Sequence, residues 1–357
     1  VLSEKNGLTP YDALLDLYEP GTRSADIDPL FDELATFLPD LVGEIIERQQ
    51  ASGPILMPTG PFDQTIQKEI GHKVMTALGF DFERGRLDVS AHPFCGGNPD
   101  DVRITTRYTE ADFTQSLMGI IHETGHALYE RGLPERYRGQ PVGTARSMGI
   151  HESQSLLMEM QACRSPEFIE YIAPILRSSF GATGEAWTTE NLRRIYLKVE
   201  RSLIRVDADE VTYPLHVVLR YRLEKALLSG DLLIKDLPGA WRDGMKSLLG
   251  IEPPNDTDGC MQDIHWHMGA VGYFPTYTLG AMNAAQLFDQ ATTEDPTILP
   301  NIQKGDFTGL LQWVRPRIHE KASLLPTPEL MRAATGRPLD AQVFKNHLSQ
   351  RYLGVSP

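Results

Sequence analysis

The run His122-Glu123-Thr124-Gly125-His126 sets two imidazoles four residues apart with a carboxylate between them. On a helix, positions i and i+4 share a face about one turn apart. The two rings can therefore grip one Zn²⁺ while Glu123 serves as general base. Two histidines are not a complete catalytic site, which takes three protein ligands and keeps a position for water. One class of such enzymes finds the third ligand in a histidine six residues after the second, but that position is Gly132 here, and position 129 is Tyr129. The other class takes a glutamate from the next helix. Glu152 follows His126 by 26 residues, enough for one helix to end, turn and return as another. Glu159 lies two turns further on nearly the same face and is the rival ligand. For either acid the competing reading is a solvated helix surface, the commonest fate of a glutamate.

A zinc held by two neutral histidines and a carboxylate keeps a net positive charge, which brings the pKa of its water to about 7. Glu123 would take the proton as water attacks a carbonyl carbon, then pass it to the departing amine. The developing oxyanion needs a donor beside the metal, and the candidates are Tyr213 and His265. Tyr213 precedes Pro214 in a helix N-terminal region rich in acids. Its competing reading is a core tyrosine bonded to backbone.

These residues must be positioned by helices. Apolar residues recur at three- and four-residue steps over about 10–18 and 28–49, and 62–78 reads as another helix closed by Gly79. Thr109 with Asp112 gives a capping-box-like start to the helix that carries His122 and His126, and Gly132 fits its end. Further helices are predicted from 144 to 163, then over 167–180, 190–206, 212–229 and 236–249, with two or three more in 306–353. Two stretches differ: Arg86–Ser90 and Val102–Thr106 alternate apolar and polar residues around a turn-rich segment, which predicts two short strands in a small ribbon. Such a strand over 101–106 could offer an exposed edge to an extended peptide. No strand–helix alternation marks a doubly wound sheet. No linker marks a domain boundary, so residues 1–357 read as one catalytic domain.

The 357 residues suffice for a large core, and 41% hydrophobic with 23% charged is an ordinary globular composition. A net charge of −14 argues against nucleic acid or an anionic membrane as the main partner. No apolar stretch is long enough to span a bilayer. Cys95, Cys163 and Cys260 are few, scattered and odd in number, which fits a reducing cytosol better than a disulfide framework. The chain opens on Val1 rather than Met, as a processed or partial product would.

The sequence resembles the carboxypeptidase Taq family of metallocarboxypeptidases. The resemblance rests on six segments in the family's order: His92-Pro93-Phe94, Asp101-Val102-Arg103-Ile104-Thr105, His122-Glu123-Thr124-Gly125-His126, His151-Glu152-Ser153-Gln154, Ile204-Arg205-Val206-Asp207-Ala208-Asp209 and Gly259-Cys260-Met261-Gln262-Asp263-Ile264-His265-Trp266. It implies zinc held by His122, His126 and Glu152, with cobalt able to substitute, and Glu123 as catalytic acid/base. It implies release of single residues from peptide C-termini with broad specificity and poor action next to proline. It further implies a mainly α, saddle-like fold with a deep groove, similar to neurolysin and angiotensin-converting enzyme, and a cytoplasmic homodimer. Family members usually carry a further helical region of well over one hundred residues before the part matched here, so the chain reads as starting close to the catalytic half.

An exopeptidase must read its substrate's terminal carboxylate, which the two-pronged face of arginine does best. Arg205 is the first candidate and Arg103 the second; for each, the alternative is a structural ion pair with a nearby aspartate. His92, beside the rigid Pro93, is a candidate for lining the groove. His265 and Trp266 are candidates to bracket substrate, with Gln262 and Asp263 as braces behind them. His151 reads as structural, and Tyr273 as a core tyrosine rather than a groove one. The rival functions are a zinc endopeptidase or dipeptidyl carboxypeptidase, which would share the water-activating core, and an inactive peptide-binding homologue. The intact Glu123 argues against the last, since a binding protein needs no base between its ligands.

Overall fold

Within Ser24–Ala51, the residues Ile27, Phe31, Leu34, Leu38, Leu41, Val42 and Ile45 are buried at three- and four-residue steps, the stripe by which a helix docks. In the computed structural model, which describes residues 2–91 and 93–355, this stripe packs with helices Tyr213–Ser229, Leu237–Leu249 and Ala341–Leu353 into one apolar core. A second core gathers helices Gln64–Ala77, Thr114–Gly132, Pro166–Phe180, Thr308–Arg317 and Thr327–Thr335. Helix Pro275–Glu294 serves both: Leu279, Met282 and Ala285 face the first core, and Ala284, Leu287 and Ala291 the second. A helix apolar on opposite sides is a central one. Met282 and Leu287 are fully buried, and each such side chain contributes about 1.5–3 kcal/mol by leaving water.

The predicted two-stranded ribbon is a three-stranded sheet. Strands β1 (Gly85–Val89) and β3 (Asp101–Thr106) pair in parallel, and β2 (Phe94–Asn98) pairs antiparallel to β3. Because β3 is the central strand, the expected free edge at 101–106 does not exist. The sequence Phe94-Cys95-Gly96-Gly97-Asn98 lacks alternation, so β2 gave no period-two signal. Its Gly97 has φ +96° beside the hairpin turn, and a Cβ there would meet the Asp101 carbonyl at 2.2 Å. Only glycine fits both demands.

Three helix boundaries also differ. Thr109 Oγ1 accepts from the Asp112 N–H, and Asp112 Oδ1 accepts from the Thr114 N–H, so the capping signature builds a turn and the helix starts at Thr114. The helix expected over 190–206 stops at Tyr196. Its continuation is captured by Gln49, which accepts from the Val199 N–H and donates to the Val199 carbonyl. The helix expected from 144 starts at Met148, where Ser147 accepts from the Ile150 N–H, and passes at Leu157 into a π-helical turn over Leu157–Ala162.

Candidate active site

Glycine brings together the elements that carry the three candidate ligands. The Thr114–Gly132 helix carries His122, Glu123 and His126, and its Gly125 rests on the Met148–Leu156 helix that carries Glu152. A Cβ on Gly125 would lie 2.5 Å from the Gln154 carbonyl oxygen and 2.6 Å from the Ser155 Cα. From the other side Gly280 of helix Pro275–Glu294 leaves room for Glu152, whose Cβ and Cγ would sit 2.8 Å from an added Cβ. The start of the Glu152 helix is held by the buried Glu19, which accepts from the Gly149 N–H. A carboxyl oxygen placed there satisfies one of the donors that the first helical turn leaves without a backbone partner.

So placed, His126 Nε2 and His122 Nε2 lie 3.5 and 3.8 Å from Glu152 Oε2, and one ligand atom from each residue falls within 4.8 Å of the others. Two ligands about 2.1 Å from a tetrahedral centre are roughly 3.4 Å apart, so the three side chains fit one zinc-sized cation. The outer ring nitrogens are also engaged. His122 Nδ1 is 2.9 Å from Glu159 Oε2, while Glu159 Oε1 accepts from Arg164 at 2.8 Å. Glu159, the rival ligand of the sequence reading, thus stands behind His122 rather than beside Glu152. His126 Nδ1 is 2.7 Å from His151 Nδ1, whose Nε2 is 2.8 Å from Glu130 Oε1. The carboxylates at the outer ends assign the tautomers. With a cation bound, Nδ1–H of His122 would donate to Glu159, Nδ1–H of His126 to His151, and Nε2–H of His151 to Glu130, leaving both Nε2 lone pairs for the cation.

The electrostatics show what the cluster lacks. Burial works to lower the His122 pKa, yet Glu152, Glu159 and Glu123 together drive it up to about 10. Burial holds His126 down at about 4. Burial would raise the Glu152 carboxyl, but His122 and His126 bring it down to about 2. Glu123 is raised by burial and by the charges of Glu152 and Glu159. Three acids around two imidazoles leave the pocket short of positive charge, a deficit that a divalent cation would offset. Strand β2 runs past this pocket, where the Cys95 thiol is pushed up to about 12 by burial and then by Glu123 and Glu130.

A second group faces Glu152. Tyr213, Tyr273 and Tyr277 all have raised pKa values, chiefly from burial with a contribution from the Glu152 charge; Tyr213 stands at about 12. The Tyr213 hydroxyl accepts from Arg205 Nη1 at 2.5 Å. Arg205 is buried and its Nε and Nη2 donate to Asp263 Oδ1 at 3.0 and 2.7 Å. The far oxygen of Asp263 accepts from the fully buried Arg220 at 2.6 Å. Gln262 Oε1 accepts from the Arg205 backbone N–H and from Arg220. His265 Nε2 is 3.0 Å from the Tyr277 hydroxyl, its ring lies against Phe274, and burial lowers its pKa to about 4. Trp266 is turned away, donating to the buried Glu224 and packing on Trp241. Arg103 is exposed and pairs with Asp101 on the same face of β3. His92 lies outside the described residues. Glu130 and Tyr277 escaped the sequence reading. Each was detectable, Glu130 as the residue one turn beyond His126 and Tyr277 as the partner of Tyr273 at i+4.

Comparisons with known proteins identify the family. The profile of the carboxypeptidase Taq (M32) metallopeptidases matches residues 1–352. Thermostable carboxypeptidase 1 of Thermus thermophilus is 43% identical over 346 residues, 97% of this chain and 68% of that protein. The structure of Trypanosoma cruzi metallocarboxypeptidase 1 is 46% identical with a TM-score of 0.96, over 98% of this chain and 74% of that one. The Pyrococcus furiosus carboxypeptidase structure is 38% identical with a TM-score of 0.91, over 96% and 69% of the two chains. A structure of a putative oligoendopeptidase F, 16% identical, shares the fold at a TM-score of 0.69 over 99% of this chain and 62% of that one. The chain belongs to the carboxypeptidase Taq (M32) family and, as such, is a metallocarboxypeptidase.

Proposed function

We propose that this metallocarboxypeptidase is a zinc enzyme that releases single residues from peptide C-termini with broad specificity, with His122, His126 and Glu152 holding the metal. The supporting observation is the convergence of two Nε2 atoms on one Glu152 oxygen at 3.5 and 3.8 Å, with both Nδ1 atoms already bonded outward. Nitrogen and carboxylate donors in this set suit zinc, and cobalt can take the same ligands. When bound, the ion polarises the scissile carbonyl and acidifies water. Glu123 is buried next to the ligands with its pKa raised, so it accepts the proton of the attacking water and returns it to the leaving amine.

Tyr213 supplies the oxyanion donor. Its pKa of about 12 keeps the hydroxyl protonated at neutral pH, and its oxygen already accepts from Arg205, so the O–H is free to point elsewhere. His265 is neutral and bound to Tyr277, a poorer candidate. Arg205 reads the terminal carboxylate: three of its five N–H groups go to Asp263 and Tyr213, leaving one on each terminal nitrogen. Residues 1–357 act as one catalytic domain, because Pro275–Glu294 contributes to both cores. The three free cysteines support a cytosolic setting, where family resemblance adds a homodimer.

Mass spectra of a peptide digested by the zinc-loaded protein test the reading. A ladder losing one C-terminal residue at a time is expected. Internal cuts or dipeptide steps would establish the endopeptidase or dipeptidyl alternative, and an intact peptide the binding protein.

A further inference from the structure

Glu159 stands behind His122 from an uncommon piece of backbone. It lies in the π-helical turn Leu157–Ala162, where the Cys163 N–H reaches back to the Met158 carbonyl. Such turns are rare but frequent at functional sites. Their last carbonyls also lack helical partners. Here two of those carbonyls are taken by one side chain from far along the chain. Arg351, on helix Ala341–Leu353, donates through Nη1 to the Met160 carbonyl and through Nη2 to the Gln161 carbonyl at 3.0 Å. Arg351 is itself clamped. Glu210 Oε2 accepts from it at 3.1 Å and from the Tyr352 hydroxyl at 3.0 Å, while Glu210 Oε1 faces His347 Nε2 at 2.9 Å. The same Glu210 oxygen accepts from the Gln161 side chain at 3.2 Å, so the turn is held at backbone and side chain together. Glu210 is buried and the Arg351 side chain is 10% exposed.

We propose that Arg351 is a positioning residue for the metal centre: by bridging the Met160 and Gln161 carbonyls it fixes the π-helical turn that presents Glu159 to His122. The inference rests on the metal reading above. Arg351 touches neither metal nor substrate, and acts through Glu159, whose hydrogen bond orients the His122 ring. Groups that orient metal-bound histidines typically contribute ten- to hundredfold in affinity.

The test is Zn²⁺ affinity of the chelator-stripped full chain, measured by competition with a chromophoric chelator, with urea unfolding alongside. Glu159→Gln should weaken binding about ten- to hundredfold and Arg351→Met about tenfold. The double variant should bind no more weakly than Glu159→Gln alone, since both act on one ring. Lys345→Ala, on the same helix as Arg351, breaks an ion pair with Glu33 of helix Ser24–Ala51 and should leave zinc affinity unchanged. Should Arg351→Met fail to fold, Arg351→Lys keeps the charge, loses the two-carbonyl fork, and carries the same comparison. Three outcomes overturn the proposal: a folded Arg351 variant with wild-type affinity, effects that multiply in the double variant, or an equal loss in Lys345→Ala. A wild-type chain that takes up no zinc overturns the metal reading, and this inference with it.

Discussion

Glu123 is the residue at which binding and turnover should part. Its carboxylate is buried beside the ligands but is not one of the three that converge. Glu123→Gln is expected to lower kcat by about 10²–10⁴ while elemental analysis still finds one metal per chain. Undiminished hydrolysis would remove it as the base. Glu152→Ala should strip the metal more completely than Glu159→Gln, because it deletes a ligand rather than a ring's support. The reverse order would exchange their roles. The pair His122 and His126 was legible because a four-residue spacing on a helix is geometry written in sequence. The preference for Glu152 over Glu159 leaned on the family resemblance, since spacing puts both on one helix face. What separates them is the onset of the π-turn at Leu157 and the pairing of Glu159 with Arg164. Nothing in the local sequence marks either. Arg205 was legible as a special arginine, but its partner Asp263 is distant in sequence and had been replaced by nearer aspartates in the reading.

At the scale of elements, the site depends on helices approaching to backbone contact. Gly125→Ala would drive a methyl into the Gln154 carbonyl, which no rotamer change relieves. It should cost about 1–3 kcal/mol by urea unfolding and weaken zinc uptake, whereas Gly119→Ala on the same helix meets nothing and should do neither. A second expectation concerns Glu19 at the start of the Glu152 helix. Burial raises its carboxyl from 4.5 to about 7, so the folded chain holds that proton more tightly than the unfolded one. The resulting stability is complete below pH 4.5 and is lost as pH rises through about 7. Glu19→Gln should therefore flatten the fall of the urea midpoint between pH 5 and 8; an unchanged slope would assign that fall to other groups. Helix existence was read well from apolar spacing. The ends were read less well, where Gln49 captured Val199 or where two glycines hid β2, because long-range partners decide such boundaries.

For the whole molecule, the family's fold class was evident in the predominance of helical patterns, while the arrangement of two cores about one shared helix was not. Periodicity shows which face is apolar but not what lies against it. A ligand that binds only the folded state adds about 4 kcal/mol when present at a thousand times its dissociation constant. Removing the metal with a chelator should thus lower the midpoint of thermal unfolding by several degrees, and zinc should restore it. A midpoint indifferent to both would mean that the cluster is empty at working concentrations. The position of Gly280 has a consequence for biosynthesis. His122, His126 and Glu152 all leave the ribosome before the helix that closes over Glu152 has been made. A nascent chain therefore carries the three candidate ligands before it carries the helix that packs against Glu152, so the full cluster geometry awaits the later part of the chain.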